Sequence, residues 1–221
     1  DAMGYGIPEG FWFSNSAEEY ANMVGFRESS PGVKDQRDID RALELLVEAG
    51  IPEGSGTKVQ LTARNCCGYP DQAVQVKEQL KDVFGWDITL RVMEASAGFD
   101  AYWAGDVEMF VQASALNYMD PDGLFSNKVR GTVPQWIGGG RGKFFAVDGV
   151  EDLFYAQQVE QDLEKRIAMT HEIDTLLQNN GNGTVNIYWA MRDHPLEDRI
   201  QNFNFDWNNK KWEHVWCDPM C

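Results

Sequence analysis

The residues whose chemistry is easiest to name here are a glycine run, three histidines and four cysteines. Gly138-Gly139-Gly140-Arg141-Gly142-Lys143 offers free backbone N–H groups beside two cations, the ingredients of a phosphate cradle. A true phosphate loop needs Gly-x-x-x-x-Gly-Lys-Ser/Thr between a strand and a helix. Phe144 follows Lys143 and no strand pattern precedes the run, so it reads as a flexible loop. His171, His194 and His214 lie far apart, without the i,i+4 spacing that puts two ligands on one helix face. They read as surface or capping histidines. Cys66 and Cys67 fall in a strand–helix turn, where a helix N-terminus lowers a thiol pKa; a structural thiol is the plainer reading. No second cysteine pair completes a metal knuckle. Neighbouring Cα atoms lie about 3.8 Å apart, too close for an ordinary disulfide between Cys66 and Cys67. Cys217 and Cys221 can pair around Pro219, and a bridge between the two clusters is the other arrangement. No Gly-x-Ser-x-Gly elbow presents a serine, and no pair among the many carboxylates stands out. Asn182-Gly183-Thr184 fits the glycosylation triplet, a pattern common by chance. The expectation is therefore no catalytic residue, no metal ligand and no cofactor.

The elements that must hold these residues are written in the hydrophobic periodicity. Residues 1–34 read as irregular, punctuated by glycine and proline, with a short helix near 17–24. Within them Gly10-Phe11-Trp12-Phe13 is apolar enough to be pinned onto a core. Ile39, Ala42, Leu43 and Leu46 recur on one face of a helix over 38–49; Asp35 or Asp38 caps it and Gly50 ends it. Val59, Leu61 and Ala63 alternate with Lys58, Gln60, Thr62 and Arg64, a strand over 58–64. Pro70 suits a first helical turn, and Ala73, Val76, Leu80 and Val83 give a helix to 84. A strand over 87–93 completes a βαβ unit, which predicts parallel pairing. A short helix over 98–104 leads to a buried strand over 107–113, then loop-rich sequence to 147. A helical region begins at 150, and one long helix is expected over 159–179. Strands follow at 184–190 and, shorter, near 203–205 and 214–216. A single mixed sheet of strands 58–64, 87–93, 107–113 and 184–190 is expected.

Composition excludes several classes. Nineteen Lys+Arg against 35 Asp+Glu leave a net charge of −16, which disfavours nucleic-acid backbones and anionic lipid surfaces. Hydrophobic residues at 43% and aromatics at 12% disfavour disorder. At 221 residues the chain suits one large domain or two small ones, burying roughly 70% of its unfolded surface. No apolar run approaches the ~20 residues of a membrane helix. Asp1-Ala2-Met3, with no basic-then-apolar leader behind it, reads as the start of a mature, cut or recloned piece.

The order of pieces carries more than any one motif. Ala42 through Pro52 (Ala-Leu-Glu-Leu-Leu-Val-Glu-Ala-Gly-Ile-Pro) precedes the strand at 59–63. A helix bearing Gln72, Ala73, Val76 and Leu80 comes next, then Gly85-Trp86-Asp87-Ile88 and Gly105-Asp106-Val107-Glu108-Met109. Asp120-Pro121-Asp122, Val150-Glu151-Asp152-Leu153 and Asp162-Leu163-Glu164-Lys165-Arg166 complete it. Over about residues 36–216 this succession resembles the C-terminal lobe of family 5 extracellular solute-binding proteins. Those are the peptide- and nickel-type receptors of ABC importers. The resemblance implies an α/β chain: one lobe of a type II periplasmic-binding-protein-like fold, a mixed sheet flanked by helices. It implies an irregular N-terminal segment after the inter-lobe hinge (1–35), an α/β ligand-binding lobe (36–193) and a C-terminal tail returning to the other lobe (194–221). It further implies a non-enzymatic, periplasmic or extracellular substrate-binding component that closes on a small solute or peptide by a hinge. Its partners would be that ligand, ABC permease subunits that hold it at the membrane and a missing N-terminal lobe, with self-association of the isolated lobe and no nucleic acid. Two other readings stay open: an enzyme using a cysteine or carboxylates in the same cleft, and a protein-interaction module derived from the receptor fold.

The family pattern before the Asp-Pro turn is Trp-x-x-Asp-x-x-Asp-Pro, and here those positions are Ser114, Asn117, Asp120 and Pro121. Peptide receptors use the acid at the Asn117 position to hold a free amino terminus, an ion pair that neutral Asn117 cannot supply. Open α/β sheets bind ligands at the carboxyl ends of their strands. The expected contact residues are Ser114, Ala115, Asn117 and Tyr118, a set suited to a neutral polar ligand better than to a cation.

Overall fold

The structure, a computed structural model, describes residues 2–3, 6–8, 10–51, 54–113, 119–129, 147–179, 185–189, 196–203 and 212–218. In chain order the elements are β1 (Ala2–Met3), α1 (Ala17–Asn22), β2 (Glu28–Ser30), β3 (Val33–Lys34), α2 (Gln36–Glu48), β4 (Lys58–Arg64), α3 (Tyr69–Phe84) and β5 (Asp87–Met93). They continue with α4 (Ala95–Ala104), β6 (Met109–Val111), α5 (Pro121–Val129), α6 (Val150–Val159) and α7 (Leu163–Asn179). The last are β7 (Tyr188–Trp189), β8 (Ile200–Gln201), a 3-10 turn (Trp212–His214) and β9 (Trp216–Cys217).

Three strands form a parallel sheet in the order β5-β4-β6. The register pairs Leu61 with Leu90 on one side and with Met109 on the other. Since β4 is central, its Leu61, Thr62 and Ala63 are all buried. Period-two alternation then sorts the side chains onto two faces. Leu61, Ala63, Ile88 and Val111 form one core with Tyr69 and Ala73 of α3. Arg64 and Phe110 meet α4 on the other face, where Phe110 stacks on Tyr102 with centroids 5.0 Å apart.

The helices start and stop where local chemistry requires. Asp35 accepts from the Arg37 N–H at the start of α2. Gly85 ends α3 in the left-handed conformation, φ +69°. Ser16 and Glu19 form a reciprocal capping box on α1.

A second core lies among α5, α6, α7 and the N-terminal segment: Ile7, Phe13, Tyr20, Phe125, Phe154 and Ile173 are fully buried there. Each large apolar side chain in it contributes roughly 1.5–3 kcal/mol by leaving water. Phe13 is thus pinned as its composition suggests, while neighbouring Trp12 keeps 41% of its surface exposed. Within this core Asp174 accepts from the Tyr20 hydroxyl (3.2 Å) and Asn15 Nδ2 (3.3 Å), and the Tyr20 hydroxyl also lies 3.1 Å from the Ile7 carbonyl. Burial, then the Asp174 charge, pushes the Tyr20 phenol well above its ordinary pKa. Gly6 lies so close to Asp174 that no Cβ fits. Buried Asp38 of α2 likewise accepts from Gly25 N–H (2.9 Å), Arg27 N–H (3.1 Å) and the Arg27 guanidinium (Nε, 2.7 Å).

Four sequence expectations are corrected. Residues 188–189 do not join the main sheet; they pair antiparallel with residues 2–3, and the three strands of the main sheet are all parallel. The long helix expected over 159–179 begins only at Leu163, as α7, and is separate from α6, which ends at Val159. Asp162 caps α7 by accepting from Glu164 and Lys165 N–H (3.1 and 3.2 Å), a break that apolar spacing does not reveal. Residues 121–129 are helical rather than loop, with Pro121 at the start where its fixed φ fits. The strand expected near 214–216 lies at 216–217 and pairs antiparallel with 200–201, while 204–205 of the strand expected near 203–205 lie outside the described residues.

Candidate functional site

The four predicted contact residues, Ser114, Ala115, Asn117 and Tyr118, lie outside the described residues. Both flanks of that loop are described. Upstream, Val111 is held in register against Ala63, and the Ala113 N–H donates to the Tyr69 hydroxyl (3.3 Å). Downstream, the Trp12 indole N–H donates to the Met119 carbonyl (3.3 Å). Asp120 accepts from Arg166 Nη2 (2.7 Å) and the Asp122 N–H (3.0 Å). Arg166 is itself aimed by Nε bonds to Gln157 O and Oε1 (3.1 and 3.0 Å) and lies over the Trp12 ring, 5.4 Å from its centroid. The Asp120-Pro121 turn is therefore a fixed base, and the loop leaves the carboxyl edge of the sheet from a fixed point.

Arg64 stands at that same edge, the last residue of β4. Its guanidinium carbon sits 3.8 Å from the Phe99 centroid and 5.0 Å from that of Tyr69. The two aromatic contacts come from α4 and α3, so both crossover helices set the position of one cation. Its stem passes Gly98: a Cβ there would lie 2.7 Å from Arg64 Cγ. The buried Arg64 Nε has no hydrogen-bond partner, and no described carboxylate lies in ion-pair range. Gln112 follows Val111, the residue with which the β4–β6 ladder ends against Ala63. Gln112 Oε1 is likewise buried and unpartnered. A buried polar group without a partner costs about 1–3 kcal/mol, so an unpaired donor and an unpaired acceptor at the ends of neighbouring strands make this edge receptive to a polar solute. A cation fixed by two rings loses little side-chain freedom on meeting an anion.

Sequence reasoning missed Arg64 because strand alternation grouped it with the polar set Lys58, Gln60 and Thr62. The available signal was Gly98, which sits inside α4 rather than at its start, since α4 begins at Ala95 with Glu94 as cap. A glycine in a helix interior marks a close approach.

The other candidates fare variously. Cys66 and Cys67 are free thiols in the turn after Arg64, the first half-buried and the second exposed. Cys66 is pushed up in pKa, first by its hydrogen bond with Cys67, then by burial. Cys217 is disulfide-bonded. His171 is half-buried with its Nε2 unpartnered, His214 is exposed, and His194 and the glycine run lie outside the described residues. Among the described residues no three His, Cys, Asp or Glu side chains cluster as metal ligands, and no helix is long and apolar enough to cross a membrane.

Residues 2–135 match the family model described as bacterial extracellular solute-binding proteins, family 5, middle. The chain is similar in structure to OppA of Burkholderia pseudomallei: TM-score 0.71, 16% identity, 92% of this chain and 37% of that one covered. It is similar to DppA of Helicobacter pylori, solved with the peptide STSA: TM-score 0.62, 21% identity, 82% of this chain and 32% of that one. It is also similar to AgaA of A. tumefacien R10, solved with agropinic acid: TM-score 0.61, 18% identity, 82% and 33%. The chain thus spans about a third of the length of these solved relatives. No curated protein matches it in sequence.

Proposed function

Since the chain belongs to the bacterial extracellular solute-binding proteins of family 5, we propose that it is the ligand-holding part of an ABC importer's substrate-binding component. In this reading it is not an enzyme: it acts outside the cytoplasm, releases a solute to permease subunits, and shares its cleft with a second lobe. The observation that carries the reading is Arg64, a cation clamped by two rings at the carboxyl edge of the sheet, its buried Nε unpartnered and no described carboxylate in ion-pair range. A fixed guanidinium is the side chain best suited to a carboxylate, through parallel N–H bonds. The relatives' ligands agree with that choice, since one is a peptide and the other is named an acid. Ser114, Ala115, Asn117 and Tyr118, on the loop held by Tyr69, Trp12 and Arg166, supply the neutral polar contacts. The proposed ligand is therefore a small polar carboxylate whose other end carries no required positive charge, because Asn117 offers no anion to meet one. Exposed apolar residues such as Val74, Val92 and Trp103 give the isolated chain surface for self-association.

Calorimetry with the peptide STSA, its C-terminal amide and agropinic acid tests the reading. The free acids are expected to bind more tightly than the amide, and Arg64→Met is expected to erase that preference. Equal binding of acid and amide to the parent chain, or preference retained by the variant, overturns the role of Arg64. Half of a binding site supports little affinity: halving a micromolar free energy of about −8 kcal/mol leaves about −4, a millimolar complex, so the titration must reach millimolar ligand.

A further inference from the structure

The turn between β4 and α3 holds two thiols that the ligand site does not use. Cys67 takes a left-handed backbone, φ +60°, which residues other than glycine adopt rarely, and Gly68 follows at φ +76°. The Tyr69 N–H closes the turn on the Cys66 carbonyl (3.1 Å). The two free thiols stand on adjacent residues of this turn, Cys66 half-buried and Cys67 open to solvent. The same chain carries a disulfide at Cys217. Disulfides form and persist where the surroundings oxidise thiols, so the adjacent pair meets the same oxidants.

We propose that Cys66 and Cys67 are a redox-active vicinal dithiol that closes into a ring disulfide by exchange with a disulfide-bearing oxidant. The exposed Cys67 thiolate attacks one sulfur of the oxidant, forming a mixed disulfide and expelling one thiolate. Cys66 then gives up its proton and attacks Cys67 Sγ, expelling the second thiolate. The two cysteines lose two electrons and two protons, and the oxidant, reduced by those electrons, leaves as two thiols. Adjacent Cα atoms, about 3.8 Å apart, lie below the usual disulfide range, so the ring is strained and a dithiol reductant reopens it. The ring spans the segment that joins Arg64 to Tyr69, so its closure stiffens the turn that places both. This inference stands on the chain's own thiols and is independent of which ligand, if any, Arg64 holds.

The test uses the full chain incubated with oxidised glutathione, then blocked with N-ethylmaleimide and read by intact mass and peptide analysis. The expected Cys66–Cys67 peptide has lost two hydrogens and carries neither maleimide nor glutathione. Treatment with a phosphine reductant is expected to restore two maleimide additions. Cys66→Ser is expected to retain glutathione on Cys67, since nothing resolves the mixed disulfide. Two maleimides on the oxidant-treated parent, glutathione persisting on it, or a link from either cysteine to Cys217 overturns the ring. Amide exchange at residues 65–69 is expected to slow in the oxidised form, and unchanged exchange refutes the coupling to Arg64 and Tyr69.

Discussion

Replacing Gly98 by alanine tests whether α4 is shaped around Arg64. A Cβ built there lies 2.7 Å from Arg64 Cγ, 3.4 Å from Cδ and 3.7 Å from Met93 Cβ. Carbon atoms rest comfortably at about 3.5–4.0 Å, so the first distance is about 1 Å too short. The obstructing atom is near the root of the side chain, so the whole stem must move, drawing the guanidinium away from Phe99. Overpacking of this kind costs about 1–3 kcal/mol. Against it, alanine in a helix interior is favoured over glycine by about 0.5–1 kcal/mol. The net expected loss is about 0–2.5 kcal/mol. In an Arg64→Ala background the stem is gone, and the same substitution should instead stabilise by about 0.5–1 kcal/mol. The coupling between the two sites is therefore about 1–3 kcal/mol, well above the few tenths seen for unconnected positions. Urea unfolding of the four proteins, compared at a common slope, measures it. If Gly98→Ala has the same sign and size with and without Arg64, the argument that this glycine exists to admit the arginine fails.

The other predictions are briefer. Tyr20→Phe removes a hydroxyl bonded to Ile7 O and Asp174, and should cost about 1–3 kcal/mol in denaturant unfolding. The raised phenol pKa means that its contribution is complete below the unfolded value near pH 10 and is lost as pH rises beyond it. Tyr20→Phe should therefore flatten the alkaline fall in stability, and a parent curve level above pH 10 would contradict the burial argument. Arg27→Met leaves the buried Asp38 carboxylate without its guanidinium and should cost about 3–5 kcal/mol in denaturant unfolding; a loss near zero would refute the burial of that charge. Asn117→Ala should weaken binding of the free acids by calorimetry while stability stays within about 0.5 kcal/mol, as a loop substitution does. Unchanged affinity would remove that loop from the site.

Local chemistry alone determined most elements. The residues that start and stop α2 and α3, namely Asp35, Gly50, Pro70 and Gly85, act within one turn of chain, so their types suffice to place helix ends. Strands 58–64 and 87–93 were legible to the residue, because alternation on a half-buried surface has no other reading, and the βαβ order dictated parallel pairing. The family followed from the order of such pieces. What required the tertiary structure is whatever depends on partners distant in sequence. The pairing of residues 188–189 with residues 2–3 is invisible in either segment, since two-residue ladders carry no pattern of their own. The break between α6 and α7 turns on Asp162 winning two backbone N–H groups, a competition that apolar spacing does not record. Arg64 is the sharpest case. Strand periodicity gave its face, but its role depends on Phe99 and Gly98, more than thirty residues onward. A cation becomes a binding group through what is fixed around it and what is missing beside it, and only the folded chain decides both.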